Sequence, residues 1–157
     1  SYGSGDTVRE VLGALGTVRF DSVAAWPGHI MGVGTVGAEE GRPGTPIVCL
    51  PGDPVSAQVC FEVYVRPALR HMQGWTVLNR PSVEARVDRS WYSPRGRREF
   101  VRVRLVGEPR TGYQAKVMGA PASLLLSALA ESNALAVVPE NVTNVRVGDT
   151  LRCMVLD

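Results

Sequence analysis

Ile47-Val48-Cys49-Leu50-Pro51-Gly52-Asp53-Pro54-Val55-Ser56-Ala57 is the stretch whose reading decides the fold. The four apolar residues Ile47–Leu50 predict a strand buried on both faces, the pattern of a parallel sheet covered by helices. The strand runs into a turn in which Asp53 is a natural N-cap and Pro54 suits the first helical position, where a missing N–H costs nothing. Val55, Val59 and Val63, with Phe61 and Val65, then predict a helix continuing toward His71. Pro67 removes a backbone donor inside it and predicts a kink. Unpaired N–H groups and the helix dipole suit such a start to anions, at the strand end where open α/β sheets bind ligands. Ser56 adds a hydroxyl in the first turn. A well-capped helix with no ligand is an equally complete reading of this turn.

Upstream, Asp6 can cap a helix whose Val8, Val11, Leu12 and Leu15 share one face, with Gly16 placed to end it. Val18–Ala25 reads as a strand stopping at Pro27-Gly28, Ile30–Val36 as a second, and 37–46 as a polar loop. Helix, strand, strand, tight turn, helix is α/β organisation. Pro27-Gly28-His29, with Gly32 and Gly34, is a second place where bare backbone can approach a ligand. Close strand packing and a solvent-facing histidine account for the same residues.

Composition changes across Gly74–Pro81, which sets a boundary between residues 1–76 and 77–157. Beyond it Val83, Ala85 and Val87, and then Val101, Val103 and Leu105, alternate with polar residues, so that one face is apolar and the other arginine-rich. Ser93-Pro94-Arg95-Gly96 makes the turn between those strands. Tyr113–Val117, Leu135–Val138 and Thr150–Leu156 add further strands, and Ser123–Ala130 has helical spacing. The second half is a small, mainly β, barrel-like domain. Arg95, Arg97, Arg98, Arg102 and Arg104 lie near Trp91 and Tyr92, a combination that binds phosphates or single strands in some proteins and forms a solvated strand face in others.

The 157 residues are 45% hydrophobic and 20% charged, with a formal net charge of +2. These values exclude a disordered chain, and no apolar run is long enough to cross a membrane. The modest charge gives no reason to expect nucleic acid. No basic-then-apolar leader opens the sequence. Cys49, Cys60 and Cys153 are far apart in apolar surroundings and read as reduced core thiols, so a cytoplasmic protein is expected. No nucleophile–base–orienter set, Walker A loop or metal-ligand cluster is present.

Leu50–Ala57 resembles the LPGNPVSA signature of the molybdopterin molybdenumtransferase (MoeA/gephyrin) family. Phe61–Leu69 resembles the FExFVRPAL that follows it, and Pro27–Gly34 falls where that family has PGKPxxFG. Ser1, Gly3 and Asp6 match the tail of its GGxSxGxxD motif. Gly96–Arg102 and Ser132–Leu135 resemble its C-terminal β domain. The resemblance implies a partial MogA-like three-layer α/β/α domain followed by the small barrel. It also implies insertion of molybdenum from molybdate into adenylylated molybdopterin, with Mg²⁺-dependent release of AMP, by a transferase that works as a homodimer. On that resemblance Asp6 is the catalytic acid near the metal, and Ser1 and Gly3 bind the pterin phosphate. Pro27, Gly28, His29, Gly52, Asp53, Pro54 and Ser56 line the pocket, while Arg97 and Ser123 complete the oxyanion site with Arg102 as a helper.

The sequence departs from the family pattern at Trp26, His29 and Ile30, which stand where it has lysine, lysine and proline. Asp53 replaces its usual asparagine. Like charges about 4 Å apart cost roughly 1 kcal/mol in water and about 4 kcal/mol at an effective dielectric near 20, so Asp53 is expected to weaken anion binding. The chain also corresponds only to the C-terminal portion of the family's proteins and is expected to be inactive alone. A divergent relative serving as a dimerisation or scaffolding module is the alternative.

Overall fold

The computed structural model describes residues 7–119 and 130–156. Helix α1 (Thr7–Leu15) leads into strands β1 (Gly16–Ser22), β2 (Ala25–Trp26), β3 (Ile30–Val36) and β4 (Thr45–Cys49). The helix ends where expected, but Gly16 is not a left-handed cap. It opens β1, where a Cβ would run into the Thr35 carbonyl, and Gly34 is similarly pressed against the Thr17 carbonyl. The glycines of this segment therefore serve close strand packing.

The strand order is β1-β3-β4, antiparallel throughout. This corrects the expectation of a parallel strand at 47–50 buried on both faces. Residues 37–44, between β3 and β4, are too few for a crossover, which needs a dozen or more. β4 folds straight back onto β3, and Val48 remains 37% exposed.

Helix α2 (Pro54–Cys60), a π-helical turn (Phe61–Val65) and α3 (Arg66–Met72) form one continuous rod. The Arg66 N–H reaches back to the Phe61 carbonyl, five residues earlier. The disruption expected at Pro67 thus takes the form of a widened turn just before it, where the ladder loses a donor. The segment after α3 is strapped to the rod. Arg66 donates to the Leu78 carbonyl (3.1 Å) and Arg70 to that of Val77 (2.9 Å). Arg70 also lies 4.3 Å over the Trp75 ring. Arg80 grips the buried Glu62 carboxylate at 2.9 and 3.1 Å.

The second half supplies β5 (Ser82–Val87), β6 (Trp91–Tyr92), β7 (Arg98–Glu108), β8 (Gly112–Val117), β9 (Ala134–Val138), β10 (Asn144–Val145) and β11 (Thr150–Val155). The order β7-β8-β5-β11-β9 closes through a β7–β9 pairing into a five-stranded barrel. Val101, Val103, Ala136, Val138 and Cys153 are among the side chains that fill it. The barrel also takes in a strand of the first half, because β2 pairs with β7 in parallel, Ala25 opposite Arg98 and Trp26 opposite Glu99. A second core lies outside the barrel, where Phe100 and Leu135 pack on Ala25 and Val59. β7 is thus covered on both faces along Phe100–Val103, which overturns the reading of Arg102 as part of a solvated face. It is only 3% exposed. Among the described residues no helix is long and apolar enough to cross a membrane.

Candidate functional site at the seam between the modules

Asp53 takes extended backbone (φ −73°, ψ 126°), and its carboxylate accepts the Ser56 N–H at 2.7 Å. Pro54 occupies the first turn, and the Ala57 N–H closes onto the Asp53 carbonyl at 2.9 Å. Burial alone would raise the Asp53 pKa. Hydrogen bonds from the Ser56 side chain and from the Ser56 and Val55 N–H groups, together with the Arg102 charge, outweigh it and hold the carboxyl below its ordinary range. Burial lowers the Arg102 pKa, and the Asp53 charge opposes that shift. The helix start read as an anion site is therefore filled by a carboxylate of the chain itself. The cation facing it comes from β7 of the barrel.

The β2–β3 loop approaches the same helix. Gly28 has φ +87°, and a Cβ there would run into Cys60 Sγ; the thiol donates to the Gly28 carbonyl at 3.3 Å. Burial pushes the Cys60 pKa up to about 11, as expected of an inert core thiol. The peptide bond before Pro27 is cis. His29 stacks on Trp26 with centroids 5.7 Å apart and planes 25° apart, and the Arg97 guanidinium lies 5.9 Å from the same indole centroid.

Arg97 is carried on the turn before β7, and that turn is anchored on several sides. The Gly96 N–H bonds to the Glu140 carbonyl at 3.1 Å, Arg98 pairs with the Glu140 carboxylate at 3.1 Å, and the Arg98 N–H reaches the Ala24 carbonyl at 2.9 Å. Beneath it the buried Glu99 carboxylate accepts the Trp91 indole N–H at 2.9 Å. Burial raises the Glu99 pKa, against the opposing hydrogen bond from Trp91.

Gly28, His29, Asp53, Ser56, Arg97 and Arg102 therefore gather along one seam, with Pro27 and Pro54 beside them. Gly52 instead lines a cleft of about 200 Å³ with Met31 and Leu50. Ser1, Gly3, Asp6 and Ser123 lie outside the described residues. The arginines do not make one basic stripe, since Arg98 faces Glu140, Arg102 is buried near Asp53 and Arg97 lies on Trp26. Among the described residues no three His, Cys, Asp or Glu side chains come together as metal ligands. The sequence motifs marked Trp26 only as a departure from the family's lysine and did not expose Glu99 at all, its one local signal being an acid inside Gly96–Arg102.

The fold is thus an α/β unit docked on a closed five-stranded barrel, with the Arg102 guanidinium of the barrel facing the capped start of α2 at the seam. Residues 1–71 match the family described as "Probable molybdopterin binding domain", and residues 84–156 match "MoeA C-terminal region (domain IV)". Molybdopterin molybdenumtransferase 2 of Mycobacterium tuberculosis is 40% identical over 97% of this chain and 37% of its own length. Gephyrin of Dictyostelium discoideum is 28% identical over 99% of this chain and 24% of its own length. A molybdopterin biosynthesis MoeA protein from Pyrococcus horikoshii shares the fold, with a TM-score of 0.77 at 23% identity over 99% of this chain and 36% of its own. The chain belongs to the MoeA/gephyrin family. It spans little more than a third of the length of the molybdenumtransferase it matches, 37%.

Proposed function

We propose that this chain acts in molybdenum cofactor biosynthesis, as the C-terminal part of a transferase that inserts molybdenum from molybdate into adenylylated molybdopterin. The observation that carries this reading is the seam. There a barrel arginine, Arg97, and a loop histidine, His29, meet at one indole beside a helix start whose own dipole is already satisfied. Molybdate is a tetrahedral dianion, and a guanidinium held in place donates to such an oxyanion with charge-assisted hydrogen bonds. In this reading Arg97 binds molybdate and the substrate's phosphates. The Pro27–His29 loop brings backbone close to the pterin, and Ser56 with Asp53 and Pro54 forms the opposite wall. Arg102 keeps the two modules in register through Asp53, a change from the helper role expected of it.

Within the same proposal, residues 1–76 and 77–157 form the two domains. Ser1 and Gly3 bind the pterin phosphate, Ser123 supports the oxyanion, and Asp6 is the catalytic acid near Mg²⁺. The described residues do not themselves fit that ion, because Asp53, the acid at the turn, is held by N–H groups and Arg102. The protein is proposed to work in the cytoplasm as a homodimer.

Calorimetric titration with adenylylated molybdopterin tests the assignment. Saturable binding is expected, weakened about tenfold or more in Arg97→Ala; no heat at high micromolar ligand would refute it. The carboxylate at position 53 favours a second reading, a scaffolding relative that keeps the fold without handling molybdate. If Trp26→Lys, His29→Lys and Asp53→Asn together leave molybdate affinity unchanged, the charge argument fails and the scaffold reading gains.

A further inference from the structure

We propose that Trp26 is the positioning residue of this site, its indole holding Arg97 from the barrel and His29 from the β2–β3 loop together so that an oxyanion meets both. The proposal rests on the oxyanion reading of the seam.

Three observations carry it. The indole stands on backbone fixed by both modules: Trp26 pairs with Glu99 of β7, Ala25 beside it is buried, and Arg98 donates to the Ala24 carbonyl. The loop that returns His29 to the ring is equally fixed. The Val23 N–H closes onto the His29 carbonyl at 2.8 Å, and Gly28 is wedged on Cys60. The Arg97 guanidinium lies 5.9 Å from the indole centroid, within the range at which a cation is attracted to an aromatic face, and the His29 ring stacks on the indole with centroids 5.7 Å apart. Without the indole, Arg97 would be a long, flexible side chain on a turn. The neighbouring cations are engaged elsewhere, Arg98 at Glu140 and Arg102 near Asp53.

The test uses the full chain, with molybdate as the probe in calorimetry and NMR of the ligand-free protein. Trp26→Leu is expected to weaken molybdate binding about three- to tenfold, and Trp26→Phe to recover most of it. In an Arg97→Gln background Trp26→Leu should add no further loss, which a merely structural role would not produce. The Arg97 Nε–Hε signal and the His29 ring signals should shift in Trp26→Leu as the indole ring current is removed. Wild-type affinity in Trp26→Leu, or strictly additive losses with Arg97→Gln, would overturn the proposal. If Trp26→Leu does not fold, the same cycle with Trp26→Met, which keeps apolar bulk but has no aromatic face, decides between coupling and additivity. If the wild-type chain takes up no molybdate the functional reading falls, and unshifted Arg97 and His29 signals would independently remove the indole clamp.

Discussion

Asp53 fills the position at the start of α2 that a bound anion would otherwise take, and much of the site's electrostatics follows from that one side chain. It caps the helix and faces a buried guanidinium. Asp53→Ala removes the cap and leaves Arg102 without its opposing charge. A loss of about 1–3 kcal/mol is expected, read as a drop of about 2–4 °C in Tm per kcal/mol. The Asp53 pKa is lower in the folded chain than its ordinary 3.8, so its stabilisation is present above that value and is lost as the pH falls below it. The gap in Tm between wild type and Asp53→Asn should accordingly persist at neutral pH and close only in acid. Glu99 runs the other way. Its pKa is raised above the ordinary 4.5, so its contribution is present below that value and is lost as the pH rises. Glu99→Gln, which can still accept from Trp91, should match or exceed the wild-type Tm at pH 7 and lose that advantage near pH 4. Thermal melts across pH 3–8 check both signs. The acid cap at 53 was legible in the sequence as an N-cap; its partner was not, because Arg102 lies 49 positions away on another element.

At the scale of elements, the contact between the β2–β3 loop and α2 sets the width of the seam. Gly28 combines φ +87° with a Cβ direction blocked by Cys60. Gly28→Ala should therefore cost about 2 kcal/mol or more. Adding Cys60→Ala should restore only part of it, since the steric conflict is relieved while the backbone strain remains; chemical denaturation of the three variants measures this. α2 was readable from Asp53 and Pro54, and the barrel strands from their period of two. β4 was misread because four apolar residues in a row look alike whether the strand is parallel and covered or antiparallel and half-covered. The short 37–44 connection carried the deciding information, through the length a crossover requires.

Across the whole molecule, the Phe100–Leu135–Val59 core and the arginine straps on the segment after α3 add to the β2–β7 pairing in holding the modules to one another. Leu135 is fully buried, and Leu135→Ala is expected to cost about 2–5 kcal/mol. Glu62→Ala removes the carboxylate that Arg80 grips and should loosen residues 73–81. Limited proteolysis should cut there faster than in wild type, and calorimetry should resolve two transitions where the wild type gives one. Unchanged cleavage would mean the straps are not what fixes that segment. Nothing in the local sequence distinguishes these arginines from solvated ones, because the acceptors of two of them are backbone carbonyls, which carry no residue identity.

By itself the sequence determined the element types, the capped helix start, the compositional break and the family resemblance, since propensity, periodicity and motif spacing are properties of neighbours along the chain. Tertiary structure alone decided that Arg102 is buried facing Asp53 and that Arg97 reaches the Trp26 indole. Those are contacts between residues tens of positions apart, and which face of a strand meets another module is fixed by packing after the strands exist.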